Sequence, residues 1–226
     1  MILSEGAVTV LKNFAQINPS ILFKPGNELS TISTQKTILC TATVDETFPV
    51  KGAIYDLNRF LGVLTLFDNP ELSFDEKRII IKQEGKTIGY TFADERMIVA
   101  PPERKIEFPE PDVTVELMWK EIQNVLRAAS VMGLPEIALV GAGGKISICA
   151  TDSSNPTIDS YSSTIGETQS EFKFIFKVEN LKLINYNYLV QVTAKGIAKF
   201  TSTNQYGPKV VYYIATEASS SFTSKE

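Results

Sequence analysis

Ala53-Ile54-Tyr55-Asp56-Leu57-Asn58-Arg59-Phe60-Leu61-Gly62-Val63-Leu64 begins as a strand and turns into a helix. Asp56 has the short acceptor side chain of a helix N-cap. Leu57, Phe60, Leu61 and Leu64 fall at i, i+3, i+4 and i+7, which is one apolar stripe. The opposite face carries Asn58, Arg59, Gly62 and Thr65, small or polar residues able to lie close to solvent or a partner. The spacing predicts a helix over 57–65.

Working outward, the same passage from short strand to amphipathic helix is expected at 5–17, 119–132 and 179–184. Ser4 is placed to cap the first of these, with Val8, Leu11, Phe14 and Ala15 facing inward, and Asn18-Pro19 closes it. The third buries Ile122, Val125, Leu126 and Ala129 and leaves Lys120, Gln123, Asn124 and Arg127 elsewhere. The fourth is short, with Leu181 and Ile184 inside and Lys182 outside. Between helices the chain is strand-like, as in the near-clean alternation of Glu171–Lys177. Repeats of this kind build a shape, and function then lies in the shape.

Residues 100–112 hold four prolines in thirteen positions and read as an extended connector between two domains. The expected division is a first domain over 1–100, a connector over 101–113 and a second domain over 114–226. The Ser/Thr-rich segment 152–171 reads as a long loop, and the tail from 219 as frayed.

Histidine is absent from the 226 residues. That removes the usual general base near neutral pH and the commonest transition-metal ligand, and it excludes Ser–His and Cys–His nucleophile systems. Gly141-Ala142-Gly143-Gly144-Lys145 superficially matches a phosphate-cradling loop, but a strand pattern follows Lys145 where a helix is needed. A glycine-rich hairpin turn is the reading. No Gly-x-Ser-x-Gly elbow occurs. Cys40 and Cys149 lie in apolar β-rich runs and read as buried, reduced thiols. The start Met1-Ile2-Leu3-Ser4-Glu5 lacks a signal peptide's basic and apolar regions, and no apolar run could span a bilayer. A soluble protein made in a cytoplasm is expected.

Net charge is −4, which argues against tight, general nucleic-acid binding yet permits a locally basic face. Lys12, Arg59, Lys120, Arg127 and Lys182 lie on the expected helices against Glu5, Asp56, Glu121 and Glu179, one excess positive charge. The remaining seventeen basic and twenty-two acidic residues total −5. The sign suits a basic lining within an acidic shell.

Several segments resemble the sliding clamps of T-even-type bacteriophages. Val10-Leu11-Lys12-Asn13-Phe14-Ala15-Gln16-Ile17-Asn18 is similar to that family's first helix, and 53–64 is closer still to its second. Ile98-Val99-Ala100-Pro101, Leu126-Arg127-Ala128 and the run 194–200 match as well. The resemblance implies an α+β fold of two similar domains, each with two strand–helix–strands units and helices on one face of antiparallel sheets. It implies a homotrimeric ring around duplex DNA, its hole lined by twelve helices, which tethers the replicative polymerase through a C-terminal peptide. An ATP-driven clamp loader would place the ring, in the cytoplasm of the infected bacterial host. Contacts to DNA would be sequence-blind and topological, with no enzymatic activity, cofactor, metal or membrane involved. By the same resemblance Lys12, Arg59, Lys120, Arg127 and Lys182 would face DNA. Ile106, Phe108 and Pro109 of the connector, with Tyr212, Tyr213 and Ile214, would form the partner-peptide pocket. Two alternatives stay open: a ring-forming or structural phage β-protein that does not encircle DNA, and an enzyme using carboxylates alone.

Overall fold

A computed structural model describes residues 1–223 apart from 105 and 156. The chain divides into two compact units, 1–105 with 204–211 and 106–203 with 212–226.

The first unit opens with helix α1 (Glu5–Ile17). Ser4 caps it, its hydroxyl accepting the Ala7 N–H at 3.1 Å. The Ser4 N–H in turn donates to the Glu46 carboxylate. Strands β1 (Ile21–Phe23), β2 (Gly26–Ile32), β3 (Ile38–Phe48) and β4 (Gly52–Ile54) follow, with β1 antiparallel to β4 and β2 to β3. Helix α2 (Leu57–Leu64) starts where Asp56 accepts the Arg59 N–H at 2.9 Å. A three-stranded meander completes the set: β5 (Glu71–Phe74), β6 (Arg78–Gln83) and β7 (Lys86–Thr91). Leu57, Phe60 and Leu61 are buried beneath α2, and each contributes about 1.5–3 kcal/mol by burial. Phe60 meets Phe23 and Tyr90 edge-on, while Phe23 stacks on Phe48 with centroids 4.7 Å apart. That aromatic cluster fixes α2 against its strands. The buried stripe of α1 is Ala7, Val10, Leu11, Phe14 and Ile17. Val8 and Ala15, expected inside, are half-buried at its edge. The stripe is turned because Asn13 is also buried, at 6% exposure.

The second unit begins with β8 (Val113–Leu117) and helix α3 (Trp119–Met132). Gly133 ends α3 at φ 67°, the left-handed conformation that glycine adopts without a Cβ penalty. Ile122, Val125 and Ala129 pack onto β9 (Glu136–Ala142), β10 (Lys145–Thr151) and β11 (Tyr161–Glu167). After β12 (Glu171–Lys177) come β13 (Tyr188–Thr193), β14 (Ile197–Ser202), β15 (Lys209–Ala215) and β16 (Ser221–Thr223). One antiparallel sheet has the order β11-β10-β9-β12-β16, and a second layer runs β8-β13-β14-β15. Gly143 and Gly144, both at positive φ, close the β9–β10 hairpin as a two-residue turn. Gly141 pairs with Phe172, whose ring occupies the space a Cβ would fill.

Four expectations are corrected. Residues 179–184 do not form a fourth α-helix: a single 3₁₀ turn, Val178–Asn180, ends at Leu181 (φ −90°, ψ 53°). Leu181, Leu183 and Ile184 are all buried in the irregular chain that follows. The Ile184 backbone is held by tyrosines, its N–H donating to the Tyr212 hydroxyl and its carbonyl accepting from Tyr188 Oη. The described residues therefore form three α-helices, and Lys182 sits half-buried in irregular chain. Segment 152–171 is not all loop, because its second half is β11, paired with β10. Cys149 is half-buried, not buried like Cys40, and its thiol contacts the Ser162 hydroxyl at 3.3 Å. Of the tail, Ser221–Thr223 pairs with β12, and 224–226 lie outside the described residues.

Candidate nucleic-acid and partner interface

Each α-helix buries one stripe and turns a basic residue to the other side. On α1, Lys12 is exposed, about 160–200° around the axis from buried Val10 and Phe14. Arg59 of α2 is exposed and lies opposite buried Leu57 and Leu61. On α3, Lys120 and Arg127 are seven residues apart, so they share one stripe about 10.5 Å apart along the axis. Both are exposed, opposite buried Ile122, Val125 and Ala129. Glu121 is drawn away from that stripe, since its carboxylate accepts the Met118 N–H at 2.9 Å. The capping interaction thus keeps the one acidic residue of α3 off the stripe of its two cations.

The surface around these cations differs from helix to helix. Lys12 rims an apolar cavity of about 170 Å³ between α1 and α2, with Ile2, Leu61, Leu64 and Leu72 in its wall. Arg59 borders an open hollow with Tyr55, Tyr90 and Thr91. Tyr90 donates a hydrogen bond to the Asp56 carbonyl at 3.1 Å. Burial raises the Tyr90 phenol above its ordinary value, outweighing the opposing pull of Arg59. Lys182 lies on none of the three α-helices.

The second candidate surface belongs to the second unit. Asp112 anchors the end of the connector: its N–H donates to the Val192 carbonyl at 2.9 Å, and its carboxylate accepts the Ala194 N–H at 2.7 Å. Ile106, Phe108 and Pro109 are half-buried upstream of that anchor. The Phe108 ring lies 6.1 Å from that of Tyr213. Strand alternation divides the three β15 residues. Tyr212 and Ile214 are wholly buried in the core, and only Tyr213 turns to the Phe108 side. Tyr212 and Ile214 therefore cannot line an open pocket. Lys199, not singled out by sequence reasoning, places its ammonium 5.8 Å from the Phe108 ring centroid. Its signal was the alternation Ala198-Lys199-Phe200, buried on either side and open at the lysine. Among the described residues, no three His, Cys, Asp or Glu side chains gather as metal ligands.

Residues 4–100 match the family described as DNA polymerase processivity factor, and residues 114–218 match the gp45 sliding clamp C-terminal family. The chain is 34% identical over 230 residues to the sliding clamp of Enterobacteria phage T4, covering 97% of this chain and 98% of that one. It is 32% identical over 226 residues to that of Vibrio phage KVP40, covering 96% of this chain and all of the relative. The chain belongs to the sliding-clamp family. The clamp's fold extends to proteins of far lower identity. A. fulgidus PCNA bound to the C-terminal region of FEN-1 superposes with a TM-score of 0.73 at 14% identity, covering 97% of the clamp and 99% of that chain. A chain of the PCNA2–PCNA3 complex from Sulfolobus tokodaii gives 0.72 at 13% identity, covering 96% and 98%. The clamp is a DNA polymerase processivity factor.

Proposed function

We propose that copies of this chain close into a homotrimeric ring around duplex DNA and tether the replicative polymerase there without catalysing any reaction. The observation that carries this reading is the placement of Lys12, Arg59, Lys120 and Arg127 on solvent faces of α-helices whose other faces are buried. Four cations against Glu5, Glu121 and the capping Asp56 leave one excess positive charge, in a chain whose net charge is −4. A lining this weakly basic attracts the phosphates but does not hold them in one register, so the ring slides. Base-specific readout needs side chains aimed at groove edges, and a ring that must pass every sequence is served by phosphate contacts alone.

We leave Lys182 out of the DNA-facing set, because the helix that was to carry it is not formed. The partner surface reduces to Ile106, Phe108, Pro109 and Tyr213. The C-terminal peptide of the polymerase docks there. An ATP-driven loader opens and places the ring, in the cytoplasm of the infected bacterial host. The test is retention on nicked circular DNA followed by linearisation. Release on linearisation is expected, and a protein that stays bound to the linear form is not held topologically. Light scattering should give the mass of three chains.

A further inference from the structure

The side chain that the partner surface presents beside its aromatic pair is a cation with no ion-pair partner among the described residues. Lys199 is half-buried on β14, its ammonium 5.8 Å from the centre of the Phe108 ring. Phe108 in turn faces Tyr213 at 6.1 Å. An ammonium parked over a ring has given up part of its hydration for a weak attraction. An arriving carboxylate then gains a charge-assisted hydrogen bond against little remaining competition from water. The connector that carries the ring has the opposite sign, since Glu107 and Glu110 flank Phe108-Pro109 in the chain and are exposed. An anionic group is therefore favoured beside Lys199 and disfavoured beside the connector carboxylates.

We propose that Lys199 reads the free terminal carboxylate of the docked peptide, so that the site takes a chain end and discriminates against an internal segment. This rests on the reading that the polymerase peptide docks at Phe108 and Tyr213. The last apolar side chain packs against the two rings while the carboxylate meets the ammonium. The chain direction is fixed by charge, with the C-terminus at Lys199 and the preceding residues running toward the acidic connector.

The experiment is calorimetric titration of the intact clamp with a synthetic peptide of the polymerase C-terminal segment, made as the free acid and as the carboxamide. Wild type, Lys199→Met and Phe108→Ala are compared, each with its oligomeric mass checked. Methionine keeps the apolar stem over Phe108 and removes only the charge. Amidation should weaken binding to wild type about three- to tenfold, the range for a partly exposed charge-assisted contact. Lys199→Met should weaken the free acid by the same factor and bind both peptides equally. Equal binding of both peptides to wild type overturns the proposal. So does a loss on Lys199→Met with amidation neutral, which assigns the lysine to an acidic side chain. Phe108→Ala separates the two readings: unchanged affinity for the free acid removes the docking site itself. A loss there, with amidation neutral in wild type, removes only the terminal carboxylate.

Discussion

Asn18 holds the C-terminal end of α1 through its side chain, and removing it should cost far more than a polar residue at a helix end normally does. The residue is 1% exposed. Its Nδ2 donates to the Ile32 carbonyl at 2.8 Å and to the Val99 carbonyl at 2.9 Å. Its Oδ1 accepts from the Ser20 N–H at 2.9 Å and from the Ser20 hydroxyl at 3.0 Å. One amide thus joins the exit of α1, the end of β2 and the chain leading to the connector. Asn18→Ala removes all four bonds and strips this partner from the buried Ile32 carbonyl, the buried Ser20 N–H and the part-buried Val99 carbonyl. At about 1 kcal/mol per net hydrogen bond the loss is about 3–4 kcal/mol. That is a large share of the 5–15 kcal/mol or so that holds a typical native protein. The assay is urea unfolding at one fixed protomer concentration, since assembly stabilises the fold by mass action. With a slope of about 2 kcal/mol per molar, the midpoint should fall by about 1.5–2 M with the slope unchanged. Asn18→Asp should lose at least as much, because it keeps the acceptor but turns a second carboxylate oxygen toward two carbonyls. A loss under about 1 kcal/mol for Asn18→Ala, at unaltered slope, would refute the argument that those carbonyls depend on this side chain.

Arg127→Glu should shorten retention on nicked circular DNA at moderate salt and reduce the salt slope by about one unit for each phosphate it no longer neutralises; an unchanged slope removes Arg127 from the DNA-facing set. Phe108→Ala should weaken polymerase-peptide binding with the oligomeric mass intact, and unaltered calorimetric affinity would move the partner surface elsewhere. Gly141→Ala drives a methyl into the Phe172 ring, so overpacking should cost about 1–3 kcal/mol and lower the melting temperature by several degrees. Burial raises the Tyr90 phenol above 10.0. The folded state then holds this proton more tightly than the unfolded chain, so its contribution is complete below that value and is lost as pH rises through the folded value. Ultraviolet titration of Tyr90→Phe against wild type should show a missing ionisation above pH 10, and a missing step at or below it contradicts the burial.

The helices were legible where local chemistry alone decides them. Ser4 and Asp56 are short acceptors placed immediately before apolar stripes, and both cap as the residues suggest. Segment 179–184 misled because Leu181 and Ile184 are spaced as on a helix. What fixes that stretch is the pair of hydroxyls on Tyr188 and Tyr212, and Tyr212 is 28 residues away from Ile184. Strand β11 was hidden by its Ser/Thr composition: as a strand paired only with β10 among the described residues, it buries little that a hydropathy pattern can register. The same limit applies to the candidate sites. The exposed cations of α1, α2 and α3 could be read from helical spacing, whereas sorting Tyr213 from Tyr212 and Ile214 required the strand's register against the core.

The Asp112 anchor bears on the thermodynamics of docking. A connector free at both ends would have to order as the peptide arrived, and binding would carry the large heat-capacity and entropy signature of coupled folding. Here the chain is tied to Val192 of β13 and to Ala194 just beyond it, only three residues after Pro109. Phe108 is accordingly presented by a segment already ordered, and association needs no prior rearrangement of the receptor. Changes at Asp112 should therefore slow the association rate while leaving every contacting side chain in place.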